Sequence, residues 1–110
     1  MAIPDLSYIV GFQWDAGNSA KIEKHGVAQA EAEQVFGNEP LIFSEDSKHS
    51  QIETRIHAFG RTVAGRLLHT TFTVRHQGTL IRIISSRPMR RDERQFYEDA
   101  ALKTDSTLPH

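Results

Sequence analysis

The chain has 110 residues, a length typical of one domain that is large enough to bury a hydrophobic core. It contains no cysteine, which excludes disulfides and thiolate metal sites. It also has no apolar run of membrane-spanning length and no signal-peptide pattern, so we expect a soluble, cytoplasmic protein.

The net charge of −1 argues against a nucleic-acid-binding protein, but it conceals an asymmetry between the two halves of the chain. Residues 1–60 hold four basic and nine acidic residues, whereas residues 61–110 hold nine basic and five acidic ones. Eight of those nine are arginine, whose planar guanidinium group binds phosphate in a bidentate manner. The asymmetry predicts separate surfaces for separate partners; the alternative is that the two halves pair with each other.

The N-terminal half is predicted to contain a short edge strand at residues 8–10 and two short helices. Asp15 is a suitable N-cap for the first helix, which ends near Lys24 before Gly26 in a left-handed conformation. The second helix is expected over residues 28–36. Its buried residues are expected to be Ala28, Ala32, Val35 and Phe36.

After Pro40 the pattern changes from helical to alternating. A short apolar strand is predicted at residues 41–43, and longer strands at 52–60, 67–75 and 80–87. Glycine-containing turns join the three longer strands, which predicts an antiparallel meander.

The alternation assigns a face to each strand residue. Ile56 and Phe72 are expected on the buried face, and His57 and His69 on the opposite one. Because a slip of one residue inverts a strand, we expect a bulge in the turn between these strands, with Gly65 at positive φ.

The last helix is predicted from Pro88 onwards, with Arg87 at its start and a polar tail over residues 102–110. Apolar residues recur at helical spacing along it. The fold class is therefore α+β: a single two-layer domain over residues 1–101, in which a β-meander packs with two short N-terminal helices and a C-terminal helix. Five arginines surround the junction of the last strand and helix, at Arg82, Arg87, Arg90, Arg91 and Arg94.

Several motifs, spread over residues 12–98, resemble those of the BrnT family. They include Trp14-Asp15, Lys24-His25-Gly26-Val27, Phe59-Gly60-Arg61, Gly65-Arg66-Leu67-Leu68, Arg82-Ile83-Ile84-Ser85-Ser86-Arg87 and Tyr97-Glu98. The resemblance implies a RelE-like fold and a ribonuclease toxin of a type II toxin–antitoxin pair that inhibits translation. It also implies a BrnA-like, dimeric DNA-binding antitoxin in a two-plus-two complex, with operator DNA contacted only through the antitoxin.

A ribonuclease that uses the 2′-hydroxyl of its RNA as nucleophile requires a proton acceptor, a proton donor and cations at the phosphorane. Arg61, Arg82 and Arg87 are our candidates for the cations. His25 is the acid/base candidate because its ordinary pKa lies near neutral pH, and Lys24 beside it would adjust that pKa or contact phosphate. Neither a cofactor nor a metal ion is needed for this chemistry.

Several of these assignments have an alternative. Arg82 would instead pair with an internal carboxylate, and His25 would satisfy carbonyl groups at a helix end. Tyr97 would stack a base or donate a proton, or else be a core residue. The remaining arginines would contact the RNA backbone or an acidic segment of the antitoxin; they are Arg90, Arg91 and Arg94.

The other histidines are scattered without the spacing of metal ligands, so no metal site is predicted. His57 and His69 are able to meet across neighbouring strands, but the sequence suggests no carboxylate or third ligand beside them. Two other functions remain open at this point: a non-catalytic nucleic-acid-binding module and a protein-interaction module that use the same basic face.

Overall fold

The computed structural model describes residues 5–49 and 53–106, which form a five-stranded sheet with helices on both faces. The strands are β1 Gly11–Phe12, β2 Ile42–Glu45, β3 Ile56–Arg61, β4 Leu67–Arg75 and β5 Leu80–Pro88. The α-helices are α1 Ala16–Glu23, α2 Gln29–Gln34 and α3 Arg91–Ser106, and single 3₁₀ turns cover Val35–Gly37 and Ser47–His49.

The strand order is β1-β5-β4-β3-β2, with β1 parallel to β5 and every other pair antiparallel. The α+β class and the predicted meander are confirmed. The sheet is wider than predicted, because β2 and β1 extend it at its two edges. The edge strand expected at residues 8–10 lies instead at Gly11–Phe12, and Ile52 of the predicted third strand lies outside the described residues.

Local signals set the ends of α1. Asp15 Oδ1 accepts a hydrogen bond from Asn18 N at 3.1 Å, and Asn18 Oδ1 accepts one from Asp15 N at 2.7 Å. At the other end Gly26 has φ +70°, and Val27 N donates to Ile22 O at 3.1 Å. The predicted N-cap and left-handed glycine are both confirmed.

The main core lies between α1, α2 and the first face of the sheet. It includes Ile22, Val27, Ala32, Val35, Ile56, Ala58, Leu68, Phe72, Ile81 and Ile83. The predicted buried face is therefore correct. Ala28 is exposed, contrary to prediction, because it is the N-cap of α2 and precedes the turns that pack on the sheet.

The length of the β3–β4 turn places the buried residues of the two strands opposite each other, on one face of the sheet. Ile56 pairs with Phe72 and Arg61 with Leu67, and Thr62 N donates to Arg66 O at 2.9 Å beyond them. Gly65 has φ +89°, as predicted. Residues 63–65 form a three-residue loop between Thr62 and Arg66, and the last of them, Gly65, takes the left-handed conformation.

A bulge in β5 decides where its arginines point. Thr71 pairs with Ser85 and Phe72 with Ile83, so Ile84 has no partner on β4. Arg82 and Arg87 are five residues apart and would lie on opposite faces of a regular strand. The bulge places both on the second face of the sheet.

The final helix packs across part of that second face. Tyr97 is buried there with Phe59 and Met89. The helix begins at Arg91, so the prediction that Arg87 starts it is wrong: pairing with β4 continues as far as Pro88, which is tolerated at a strand end. The helix continues to Ser106, into residues assigned to the tail. In the described part of the chain, no helix is both long and apolar enough to span a membrane.

Candidate active site

Two histidines meet on the second face of the sheet, beside α3. His57 on β3 and His69 on β4 lie with Nδ1 and Nε2 2.9 Å apart, which is hydrogen-bonding distance. The cross-strand contact suggested by the sequence is thus present. On the far side of the pair, Asp46 Oδ2 lies 3.5 Å from His57 Nε2.

Arg87 and Glu93 complete this group. The Arg87 guanidinium donates to both carboxylate oxygens of Glu93, at 2.7 and 2.8 Å. Glu93 Oε2 and Arg87 Nη2 lie 3.0 and 2.9 Å from His69 Nδ1. We call His57, His69, Arg87 and Glu93 the His–Arg cluster.

Glu93 is held by the helix as well as by the cluster. It is the third residue of α3, and its Oε1 accepts a hydrogen bond from Arg90 N at 2.8 Å. A glutamate at this position typically caps the helix start in this way. The capping interaction therefore fixes the carboxylate that orients Arg87 and His69.

The cluster has defined charges at neutral pH. The hydrogen bonds from Arg87, followed by the one from Arg90 N, lower the pKa of Glu93 to about 2. Burial lowers the pKa of His69 to about 4, against the opposing effect of Glu93. Glu93 in turn raises the pKa of Arg87. Arg87 is thus cationic, Glu93 anionic and His69 neutral.

Aromatic rings cover one side of the cluster. Phe59 stacks on His69, with ring centroids 4.5 Å apart and an interplanar angle of 22°. Phe96 of α3 contacts Phe59 edge-on at 5.2 Å. These contacts explain the burial of His69.

Of the other predicted cations, Arg82 shares the face of the cluster and Arg61 does not contact it. Arg82 Nη1 lies 2.9 Å from Asp15 Oδ2, so the carboxylate-pairing alternative is observed. Arg61 is exposed beyond α3, where it lines an open cleft of about 920 Å³ with Leu67 and Leu102.

The structure does not bring His25 and Lys24 to the cluster. Both are exposed in the turn between α1 and α2, in the helical layer on the first face of the sheet. Their neighbour there is Arg66, which donates to Gly26 O at 2.9 Å and pairs with Glu31.

The residues predicted to bind RNA from α3 divide into two groups. Tyr97 is only 4% exposed and its hydroxyl donates to Pro40 O at 2.6 Å, so the core alternative is the one observed. The three arginines are exposed at the start of the helix; they are Arg90, Arg91 and Arg94.

Sequence reasoning missed the carboxylates Glu93 and Asp46. Alternation placed His57 and His69 on one face, but nothing local indicated where α3 would cross that face. The one available signal was the capping position of Glu93, three residues after Arg90. Within residues 5–49 and 53–106, no three His, Asp or Glu side chains are grouped so as to hold a metal ion.

A cationic arginine beside two imidazoles and an orienting carboxylate is able to bind a phosphate group and move a proton near it. The comparison with curated proteins finds no match. The comparison with protein families does: the model described as "Ribonuclease toxin, BrnT, of type II toxin-antitoxin system" matches residues 14–93. The match covers most of the chain and includes all four residues of the His–Arg cluster. The chain therefore belongs to the BrnT family of ribonuclease toxins.

Proposed function

We propose that the chain is a metal-independent endoribonuclease that inhibits translation by cleaving RNA at the His–Arg cluster in the cytoplasm, where its substrate lies. The observation that carries this proposal is the contact of Arg87 with both His69 and Glu93 on a partly exposed sheet face. It supplies a cation and imidazoles within one hydrogen-bonding network.

In the proposed reaction the 2′-oxygen attacks the adjacent phosphorus, and the bond from phosphorus to the 5′-oxygen breaks. The products are a 2′,3′-cyclic phosphate and a 5′-hydroxyl. The 2′-hydroxyl proton passes to an imidazole, and the imidazolium so formed returns a proton, through solvent, to the leaving 5′-oxygen. Arg87 stabilises the negative charge that develops on the phosphorane.

We assign proton transfer to His57 and orientation to His69 and Glu93. The His57 side chain is 25% exposed against 13% for His69, so it is the more accessible to RNA. A pKa of about 2 makes the Glu93 carboxylate a poor proton acceptor at neutral pH. This assignment replaces His25, which lies on the other face of the sheet. Arg82 and Arg61 are then contacts to flanking phosphates, and Lys24 is outside the reaction.

The first test removes the cation. Arg87→Ala should abolish cleavage by purified protein with the fold retained. Arg66→Ala is the matched control, because Arg66 also pairs with a glutamate but on the first face of the sheet. Wild-type cleavage should persist in excess EDTA, and RNA with a 2′-deoxy residue at the cut site should bind and stay intact. Loss of activity on chelation, or cleavage of the deoxy substrate, would refute the mechanism.

The second test compares the two acid/base candidates. His57→Gln should reduce cleavage strongly, whereas His25→Gln should leave it near the wild-type rate. The opposite result would return the role to His25. RNA binding without cleavage by the wild-type protein would instead favour the non-catalytic module.

We also propose that a BrnA-like, DNA-binding antitoxin neutralises the protein in a two-plus-two complex. The family supports an antitoxin, and the exposed Arg91 and Arg94 offer a cationic surface for an acidic segment of it. Expression alone should arrest growth, and co-expression of the adjacent small gene should relieve the arrest. A gene with no small neighbour on either side would count against this partner.

A further inference from the structure

Phe96 is an aromatic residue that α3 leaves exposed beside the His–Arg cluster. The residue is 46% exposed, although it is one of the large apolar residues of the helix. The ring rests edge-on against Phe59, and Phe59 stacks on His69. Phe96 therefore lies one aromatic ring away from His69, with part of its surface open to solvent.

The charges around the ring distinguish between two kinds of RNA contact. Asp92 and Asp99 lie four residues before and three residues after Phe96, so they share its side of α3, and both are exposed. Their carboxylates repel a phosphate group. A nucleobase carries no charge and presents a flat face, so this surface suits a base better than it suits the RNA backbone.

Arg87 supplies the complementary contact on the cluster side. Its guanidinium would hold the phosphate, while the neighbouring base extends over α3. A base is able to stack on a protein ring only when it is free of its own helix, so this geometry requires single-stranded RNA.

We propose that Phe96 is a stacking platform for an RNA base next to the cleaved phosphate, and that the substrate is single-stranded. The inference rests on the proposed ribonuclease activity, because the phosphate position is taken from Arg87. It adds a binding subsite for a base, which the His–Arg cluster itself does not contain.

The test measures binding to a single-stranded 2′-O-methyl oligonucleotide that carries 2-aminopurine at one position. This probe has no free 2′-hydroxyl, so it is not cleaved, and its fluorescence falls when the base stacks. Moving the 2-aminopurine along the probe locates the base that stacks. Phe96→Ala should raise Kd by about 5- to 150-fold, the range expected for one base–aromatic stack, and should abolish the quenching.

Two further substitutions at the same position separate stacking from apolar contact. Phe96→Trp should keep the affinity and the quenching, and Phe96→Leu should lose both while retaining packing on Phe59. Leu102→Ala is the matched control: Leu102 is an exposed apolar residue of the same helix, 66% exposed, and lines the cleft on the other side. It should bind the probe as the wild type does.

Wild-type affinity and quenching in Phe96→Ala would overturn the inference, as would wild-type affinity in Phe96→Leu or failure of the wild-type protein to bind the probe. Equal affinity for a duplex of the same sequence would overturn the single-strand preference. If binding depends on Phe96 but no RNA is cleaved, the subsite stands and the catalytic proposal fails. If Arg87→Ala abolishes cleavage and Phe96→Ala changes nothing, the catalytic proposal stands and the subsite fails.

Discussion

The largely buried imidazole of His69, whose side chain is 13% exposed, should make the protein lose stability as the pH falls from neutral to mildly acidic. Its pKa is about 4 in the folded chain, against an ordinary value of 6.5. Below pH 6.5 the imidazole of the unfolded chain binds a proton, whereas the imidazole of the folded chain stays neutral until the pH approaches 4. Stability is therefore lost progressively as the pH drops from 6.5 towards 4.

The size of the effect follows from the two pKa values. Between about pH 7.5 and about pH 5, the unfolded histidine becomes almost fully protonated and the folded one stays neutral, which costs about 2 kcal/mol of unfolding free energy. This free-energy change depends mainly on the pKa of the histidine in the unfolded chain, so a change of one unit in its pKa in the folded chain alters it only slightly. Glu93 contributes little in this interval, because its lowered pKa matters only below about 4.5.

The assay is urea unfolding of wild type and His69→Gln at both pH values. Glutamine keeps hydrogen-bonding capacity and does not titrate, so the variant should lose about 2 kcal/mol less than the wild type between the two conditions. His25→Gln controls for the loss of one exposed imidazole and should keep the wild-type change. Equal pH dependence in wild type and His69→Gln would show that the imidazole is not held neutral by its surroundings.

Three further substitutions have expected outcomes. Gly60→Ala places a Cβ 2.7 Å from Val35 Cγ1 and should lower the unfolding free energy, measured by chemical denaturation, by about 1–3 kcal/mol. In Gly37→Ala the added Cβ meets nothing within 4 Å, so the unfolding free energy should change little. Similar changes in both variants would contradict the packing argument. Arg87→Lys keeps the charge but loses the bidentate contact, so kcat should fall by a larger factor than RNA affinity, and an equal loss would argue against transition-state stabilisation. Asn18→Ala removes hydrogen bonds to Gln13 O and Ile83 O and should lower stability by about 2–3 kcal/mol in thermal unfolding; an unchanged melting temperature would show that water replaces them.

Much of the fold was predictable because its signals are local. The capping of α1 by Asp15 and its termination at Gly26 depend on residues within one helical turn. The buried face of β3 and β4 follows from simple alternation, and the bounds of β4 match the alternating run. The positive φ of Gly65 followed from the turn length that is needed to bring the buried faces of β3 and β4 to the same side of the sheet.

The candidate site was less predictable. His57 and His69 were placed on one face, but their carboxylate partners were not foreseen. Glu93 reaches His69 only because α3 turns back across the sheet, which depends on how Tyr97 packs against Phe59. The sequence leaves Tyr97 open between an RNA contact and a core residue, and only the packing shows that its hydroxyl donates to Pro40 O.

The sequence by itself determined most of the elements, the buried face and the family, because periodicity, capping residues and short motifs are properties of neighbouring residues. Tertiary structure alone decided which charges meet. The bulge at Ile84 places Arg82 and Arg87 on one face of the sheet. Its position depends on how β5 pairs with β4, and this register is not determined by the sequence of either strand alone. The same limit applies to His25, which is an acid/base candidate by residue type but lies across the sheet from Arg87. A side chain's chemistry is local, but its partners depend on strand register and helix packing along the whole chain.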